Sequence, residues 1–327
     1  MLFCKDLRLW IADGCTGEIR TSIPTPRSRP SAARGGRPYE RILGDSIAIA
    51  NLSGGPHPQE VLLKDRYTNI WAFDRDLKEL WYHECTTGHF PAVYDIDGDG
   101  CDEVMAGYSV LDQDGTLLWE LPYGDHQDAI AIGPFDPDCP DTLLIGLAAG
   151  EEGFILATAE GEVLAQHKLG HAQKLAVANL RPDLPGLEYA VITFWGHPGI
   201  TAIFDCKGRM LSSFELVPHA SPLMPVNWAG DGSELLFLSA HPAEGGLLDA
   251  QGHRAVMFPD DGHPFYCCTA LDLIGDGRDE LLTWDTESIW VYRADTPLPD
   301  GPRYRPIRLP HWNESNYMAH VSLPHWE

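Results

Sequence analysis

No stretch of the 327 residues is apolar for long enough to form a membrane-spanning helix, so a membrane partner is not expected. Basic residues are scarce. Twenty-three Lys and Arg stand against 48 Asp and Glu, a formal net charge of -25, which argues against nucleic acid as a general partner. Solubility is the simplest reading of that acidity. The eight cysteines (Cys4, Cys15, Cys85, Cys101, Cys139, Cys206, Cys267, Cys268) form no CxxC pair and no regular framework. Reduced thiols are therefore expected, not a disulfide scaffold or a zinc knuckle. The opening MLFCKDLRLW lacks the basic region, apolar core and cleavage site of a secretory signal, so a cytoplasmic location is expected.

What the chain has in quantity is turn formers, 32 Gly and 26 Pro, set among short apolar runs. A hairpin signature recurs: TGEIRTS, RDLKELWYHE, DGTLLWE, EGEVLAQ, KGRMLSS and QGHRAVM. The glycines of the last four, Gly115, Gly161, Gly208 and Gly252, lie 46, 47 and 44 residues apart. That is near the ~40 to 50 residues of a four-stranded propeller blade. Upstream of each of the last five hairpins, and once more after them, comes an apolar strand, a polar turn and a second apolar strand: DSIAIANL to EVLLK, PAVYDID to DEVMAGY, DAIAIGPF to TLLIGLA, KLAVANL to YAVITFW, PLMPVNW to LLFLSA, TALDLIG to ELLTWD. The expectation is an all-β, seven-bladed β-propeller with four-stranded blades, one domain over residues 1–327. The C-terminal YMAHVSLP is expected to complete the N-terminal blade and close the ring, which would remove a sheet edge.

In a propeller the loops entering each first strand share a face with those leaving each second strand. A histidine precedes the first strand in five repeats: His89, His126, His171, His219 and His263. One such imidazole is commonly a half-buried, satisfied side chain, but five at one channel mouth make a set able to titrate near neutrality and bind metal. Loops on the same face add Lys64, Arg66, Tyr67, Tyr108, Trp195, His197, His241, Trp284 and Asp285. Rings flanked by hydrogen-bonding groups suit a sugar. The segment 24–41 adds Arg27, Arg29, Arg34, Arg37 and Arg41, a basic island on an acidic chain that would attract an anionic ligand. On the opposite face, DIDGDGCDE presents Asp95, Asp97, Asp99 and Glu103 at nearly the spacing of a calcium loop, and the other turns have lost ligand positions, as at Ile274. Such Asp and Gly residues also make tight turns without metal.

GHFPAVYDIDGDGCDEV, GDHQDAIAIGPFDPD and YRPIRLPHWNESNYMAHVSLP resemble the propeller domain of rhamnogalacturonan lyases and their FG-GAP-type relatives. The resemblance implies β-elimination at a rhamnose–uronate linkage, commonly with calcium. With no accessory domain and degenerate calcium turns, this chain is expected to take a small anionic oligosaccharide containing rhamnose and a uronic acid.

Elimination needs a group to neutralise the carboxylate, a base for H5 and an acid for the leaving oxygen. Arg66 and Lys64, with Arg41 or a metal, are the candidates for the first role. His126 and His171, with Tyr67 as an alternative acid, are the candidates for the others. His89, Trp195, His197, His219 and His263 are expected to bind substrate. The imidazoles could instead hold Zn²⁺ or another transition metal. Two other readings stand beside elimination. A glycoside hydrolase would use a carboxylate pair from Asp125, Asp128, Glu151, Glu152 and Asp285, and a non-catalytic propeller would bind glycan or protein.

Overall fold

The computed structural model describes residues 1–29, 40–215, 223–309 and 313–327. It divides into two compact units, Met1–Asp128 with Trp312–Ser315, and Ala129–His311 with Asn316–Glu327. Among the described residues there is no α-helix, and the strands make seven sheets.

The first unit holds three antiparallel sheets. One is β1 (Leu2–Lys5), β2 (Arg8–Ala12) and β3 (Ile19–Pro24); the next is β4 (Ser46–Ala50), β5 (Glu60–Lys64), β6 (Asn69–Phe73) and β7 (Glu79–Glu84). The third is β8 (Ala92–Tyr94), β9 (Glu103–Ala106), β10 (Ser109–Leu111) and β11 (Leu117–Glu120). The second unit continues the pattern with β12 (Ala129–Gly133), β13 (Leu144–Ala148), β14 (Phe154–Thr158) and β15 (Val163–His167), then β16 (Ala172–Ala178), β17 (Glu188–Thr193), β18 (Ile200–Phe204) and β19 (Met210–Glu215). After these come β20 (Met224–Val226), β21 (Leu235–Ser239), β22 (Gly246–Leu248) and β23 (Arg254–Val256), the three-stranded β24 (Cys267–Leu271), β25 (Glu280–Trp284) and β26 (Ile289–Tyr292), and the hairpin β27 (Ile307–Leu309) and β28 (His320–Leu323). All six strand pairs read from the sequence form as antiparallel neighbours.

Burial explains the patterning. Second and third strands such as β5, β6, β13 and β14 are buried almost end to end and read as apolar runs, whereas the fourth strands β7, β11 and β15 are largely exposed and mix polar residues with exposed apolar ones such as Leu80, Leu118 and Leu164. Each third-to-fourth hairpin also shifts register by a bulge, at Phe73, Leu111, Ala157, Phe204 and Leu248 among others. The recurring glycine makes that turn possible. Gly115 and Gly252 have φ of 85° and 84°, and a Cβ on either would strike the ring of Trp81 or Phe214 on the preceding sheet's outer strand. Sheets in sequence pack face to face through Leu9, Val61, Leu63 and Trp71 in the first unit, and through Phe154, Tyr189 and Phe204 in the second.

Two polar devices repeat beside these cores. The asparagine that ends a first strand donates its side-chain amide to the next sheet's turn: Asn51 to Gly100, Asn179 to Gly232, Asn227 to Gly277. The same three residues exchange backbone bonds with a carboxylate-bearing neighbour of that turn, Asp102, Glu234 or Asp279. In addition, the glutamate that opens a second strand caps its own turn. Glu60 accepts from the Leu52 amide, Glu103 from Ile96, Glu188 from Leu180 and Arg181, and Glu280 from Leu273.

The expected ring closure is corrected. β28 does not join the β1–β3 sheet; it pairs in parallel with β16 through Ala176–His320 and Val177–Val321, while antiparallel to β27. The reason lies in Arg308 of β27, whose guanidinium reaches Glu234 at 2.8 Å and Asp279 at 2.5 Å, with Ser322 of β28 also donating to Glu234. These charges hold the hairpin inside the second unit.

Two outcomes test these devices. Asn227 is fully buried and bonds Gly277, Tyr304, Gly230 and Asp279, so Asn227→Ala should cost about 2–4 kcal/mol in urea unfolding, more than Asn51→Ala at its half-exposed counterpart. Burial pushes the Glu188 carboxyl from its ordinary 4.5 to about 7, against the backbone amides of Arg181 and Leu180. A raised folded pKa favours the fold most below 4.5, and that advantage is lost as pH rises through about 7. The melting temperature of the wild type relative to Glu188→Gln should therefore fall across that window and level off above it.

Candidate functional site

Three loop segments of the first unit converge. Lys64 ends β5, and the Asp65 carboxylate then accepts from the amides of Thr68 and Asn69, each at 2.8 Å, closing a tight turn whose tip carries Arg66 and Tyr67. The Thr87 amide donates to the Tyr67 carbonyl at 3.0 Å, which brings in the segment ahead of β8. The His89 amide donates to the Gln127 carbonyl at 2.9 Å, which brings in the segment ahead of β12. Gly88 permits this approach: its φ is 62°, and a Cβ there would run into Gln127.

The side chains meet accordingly. The Tyr67 ring lies 5.4 Å from His89 and 5.0 Å from His126, and the two imidazoles lie 5.1 Å apart, edge to face. The Tyr67 hydroxyl is 3.5 Å from His89 Nε2. Asp128 sits beneath, fully buried, with Oδ1 3.5 Å from His89 Nε2 and Oδ2 3.6 Å from His126 Nε2. Asp125 holds the other nitrogen of His126 at 3.0 Å. Arg66 extends over the Tyr67 ring with its guanidinium carbon 5.3 Å from the centroid. One ligand atom each from His89, His126 and Asp128 falls within 4.8 Å of the others, a spacing able to hold a metal ion.

Lys64 occupies a different place from the one its charge suggests. It is fully buried, and its ammonium donates to Asp45 at 3.1 Å and to the Arg66 carbonyl at 3.0 Å. Burial pulls its pKa below the usual lysine value, opposed by Asp45. Its visible work is to pin the loop that presents Arg66 and Tyr67.

The other candidates are dispersed. His171 is in the second unit, buried, with Nδ1 3.3 Å from Glu151. Both nitrogens of His263 are engaged inside the protein, with Asp261 at 2.6 Å and the Ala240 carbonyl at 2.7 Å, which is the arrangement of a structural histidine. Trp195 and His197 project from the loop after β17 and are exposed. Arg41 donates to the Thr25 carbonyl at 2.5 Å. His219, Arg34 and Arg37 lie outside the described residues. Sequence reasoning placed Asp128 only among the carboxylates of a hydrolase and passed over Asp45. The signal for both was present, in the HxD spacing of GDHQD and in GDSIAI, where aspartate stands at the position histidine holds in other repeats.

In the turn 95–103, Asp95 accepts from the amides of Gly98 and Gly100, Asp97 from Asp99, Asp99 from Cys101, and Glu103 from Ile96. Ligand atoms of Asp95, Asp97 and Glu103 lie within 4.8 Å of one another, whereas Asp99 turns to Gln113 at 3.3 Å.

A family profile described as rhamnogalacturonan lyase family 11, C-terminal domain, matches residues 62–236. The chain is 27% identical over 321 residues to the rhamnogalacturonan exolyase YesX of Bacillus subtilis (strain 168), covering 88% of this chain and 52% of that protein. It is 23% identical over 322 residues to the rhamnogalacturonan endolyase YesW of the same organism, covering 88% and 49%. Among solved structures, exotype rhamnogalacturonan lyase YesX superposes with a TM-score of 0.70 at 24% identity, over 88% of this chain and 52% of the other. YesW gives 0.71 at 20% identity, over 96% and 57%. The chain thus spans about half the length of the curated relatives it matches.

The Lys64 assignment makes an asymmetric prediction. Asp45→Asn leaves a buried ammonium without its carboxylate and should destabilise by about 2–4 kcal/mol, whereas Lys64→Met, which removes the charge and keeps the volume, should cost less. Chemical denaturation of the two variants checks the order.

Proposed function

The chain belongs to rhamnogalacturonan lyase family 11, whose C-terminal domain it carries, and from that premise we propose that it is a seven-bladed β-propeller cleaving a rhamnose–uronate linkage by β-elimination. Seven sheets in a repeating order support the propeller. The observation that carries the chemistry is the Tyr67 hydroxyl 3.5 Å from His89 Nε2, with the buried Asp128 carboxylate 3.5 Å from that same nitrogen.

In this reading Arg66 pairs with the uronate carboxylate and lowers the barrier to removing H5. The Tyr67 proton passes to His89, where it arrives beside Asp128, and the phenolate takes H5. The C5–H electron pair becomes the C4–C5 double bond, and the bond from C4 to the glycosidic oxygen breaks. That oxygen leaves with rhamnose and takes a proton from His126, which Asp125 orients. No carboxylate pair is required, which separates this reading from glycoside hydrolysis.

Two imidazoles and a carboxylate are also a donor set that suits Zn²⁺ or a related transition metal, with His89, His126 and Asp128 as the ligands. Such an ion, when bound, would neutralise the substrate carboxylate, leaving Tyr67 and Arg66 facing the sugar. The all-oxygen set of Asp95, Asp97 and Glu103 suits Ca²⁺ in a structural role.

Rhamnogalacturonan oligosaccharides incubated with the protein should release an unsaturated uronate, read by its ultraviolet absorbance. Tyr67→Phe should lower the rate by about 100-fold or more without moving the melting temperature. Activity lost to EDTA and restored by zinc would assign the metal to the histidine cluster. A melting temperature lowered by EDTA and restored by calcium would assign it to the turn. Reducing sugar released without ultraviolet signal overturns elimination in favour of hydrolysis; neither signal leaves a binding propeller.

A further inference from the structure

The loop after β17, Phe194 to Gly199, is built to hold one ring in water. Its base is cinched by Thr193, whose carbonyl accepts from the Gly199 amide at 3.0 Å and whose hydroxyl accepts from the Ile200 amide at 3.1 Å and donates to the His197 carbonyl. The Phe194 amide donates to the His171 carbonyl at 2.9 Å, fastening the loop to the segment that enters β16. His197 rests on Gly170, where an added Cβ would come within 3.2 Å of the imidazole. Trp195 is left standing at the tip, its side chain packed edge to face on Phe194 at 5.0 Å and 81°, with the residue 64% exposed.

A large apolar ring held in water by a cross-tied loop is set for binding, because little side-chain or loop freedom remains to be lost. The groups fastened to the same loop are polar: His197 on the loop itself, His171 behind it, and Glu151, whose side chain is 67% exposed and whose carboxylate accepts from His171 Nδ1 at 3.3 Å. An indole face beside hydrogen-bonding groups matches a pyranose, whose C–H face stacks on the ring while its hydroxyls take the partners. We infer that Trp195 is the stacking platform of a saccharide subsite in the second unit, with His197 and Glu151 as hydroxyl partners. The choice of saccharide rests on the lyase reading above; the platform rests on the loop.

The test separates the two. In the Tyr67→Phe background, which binds without turning over, rhamnogalacturonan oligosaccharides are titrated calorimetrically. Adding Trp195→Ala should weaken binding about tenfold or more, and Trp195→Phe should restore most of it. Equal affinity in all three proteins overturns the platform and leaves the lyase reading intact. Absence of binding in the parent variant also overturns the platform, and wild-type release of unsaturated uronate then decides whether the lyase reading falls with it.

Discussion

A turn that joins the first two strands of one sheet and packs on the neighbouring sheet has a problem that apolar burial cannot solve: its amides and carbonyls lose water and must find partners. The chain answers it with side chains at repeating positions. Asn51, Asn179 and Asn227 reach across to the next sheet's turn, while Glu60, Glu103, Glu188 and Glu280 turn back to cap their own. Each buried carboxylate opposes desolvation with backbone donors, and Glu188 shows how narrow the balance is, since burial still raises its pKa to about 7. Face-to-face packing holds the sheets together, but these polar bonds set which residue of one sheet meets which residue of the next.

With one end of the sheets so constrained, loops at the other end of a sheet can differ from repeat to repeat without loss of the fold. The segment 64–68 is held by Asp65 and Lys64, and the segment 85–89 by its bonds to Tyr67 and Gln127, which fixes where Arg66, Tyr67 and His89 are presented. The same economy operates in the second unit, where Thr193 closes a loop and leaves Trp195 outside it. In both places a buried polar residue does the holding and an aromatic one is presented.

The strands were legible because burial on both faces makes apolar runs and the bulged hairpin demands a glycine; those are local requirements that leave a local mark. The pairing of β28 with β16 left none. It is parallel, two residues long in register, and governed by the bond from Arg308 to Glu234 and Asp279, residues 74 and 29 positions away. His89 and His126 were visible as histidines at equivalent places, but their meeting with Tyr67 and the buried Asp128 was not, because the segments that carry them are joined by bonds between loops. Lys64 misled for a related reason. Its charge suggested a substrate partner, whereas its position as the last residue of a buried strand turned that charge inward.

The turns 95–103 and 272–280 show where motif and electrostatics part. Asp272 accepts from Gly275 and Gly277 as Asp95 does from Gly98 and Gly100, and Glu280 repeats the bond of Glu103. Asp97 is matched by Ile274, and the charge around the second turn is met from within the protein, with Arg278 on Asp276 at 3.1 Å and Arg305 3.8 Å from Asp272. The retained positions are therefore those that satisfy backbone amides, and the variable one is the extra carboxylate. Turn geometry accounts for the Asp-x-x-Gly-x-Gly spacing in both. What distinguishes them is that the first accumulates negative charge while the second neutralises it with arginine, so a cation site has to be argued from charge balance and not from the spacing.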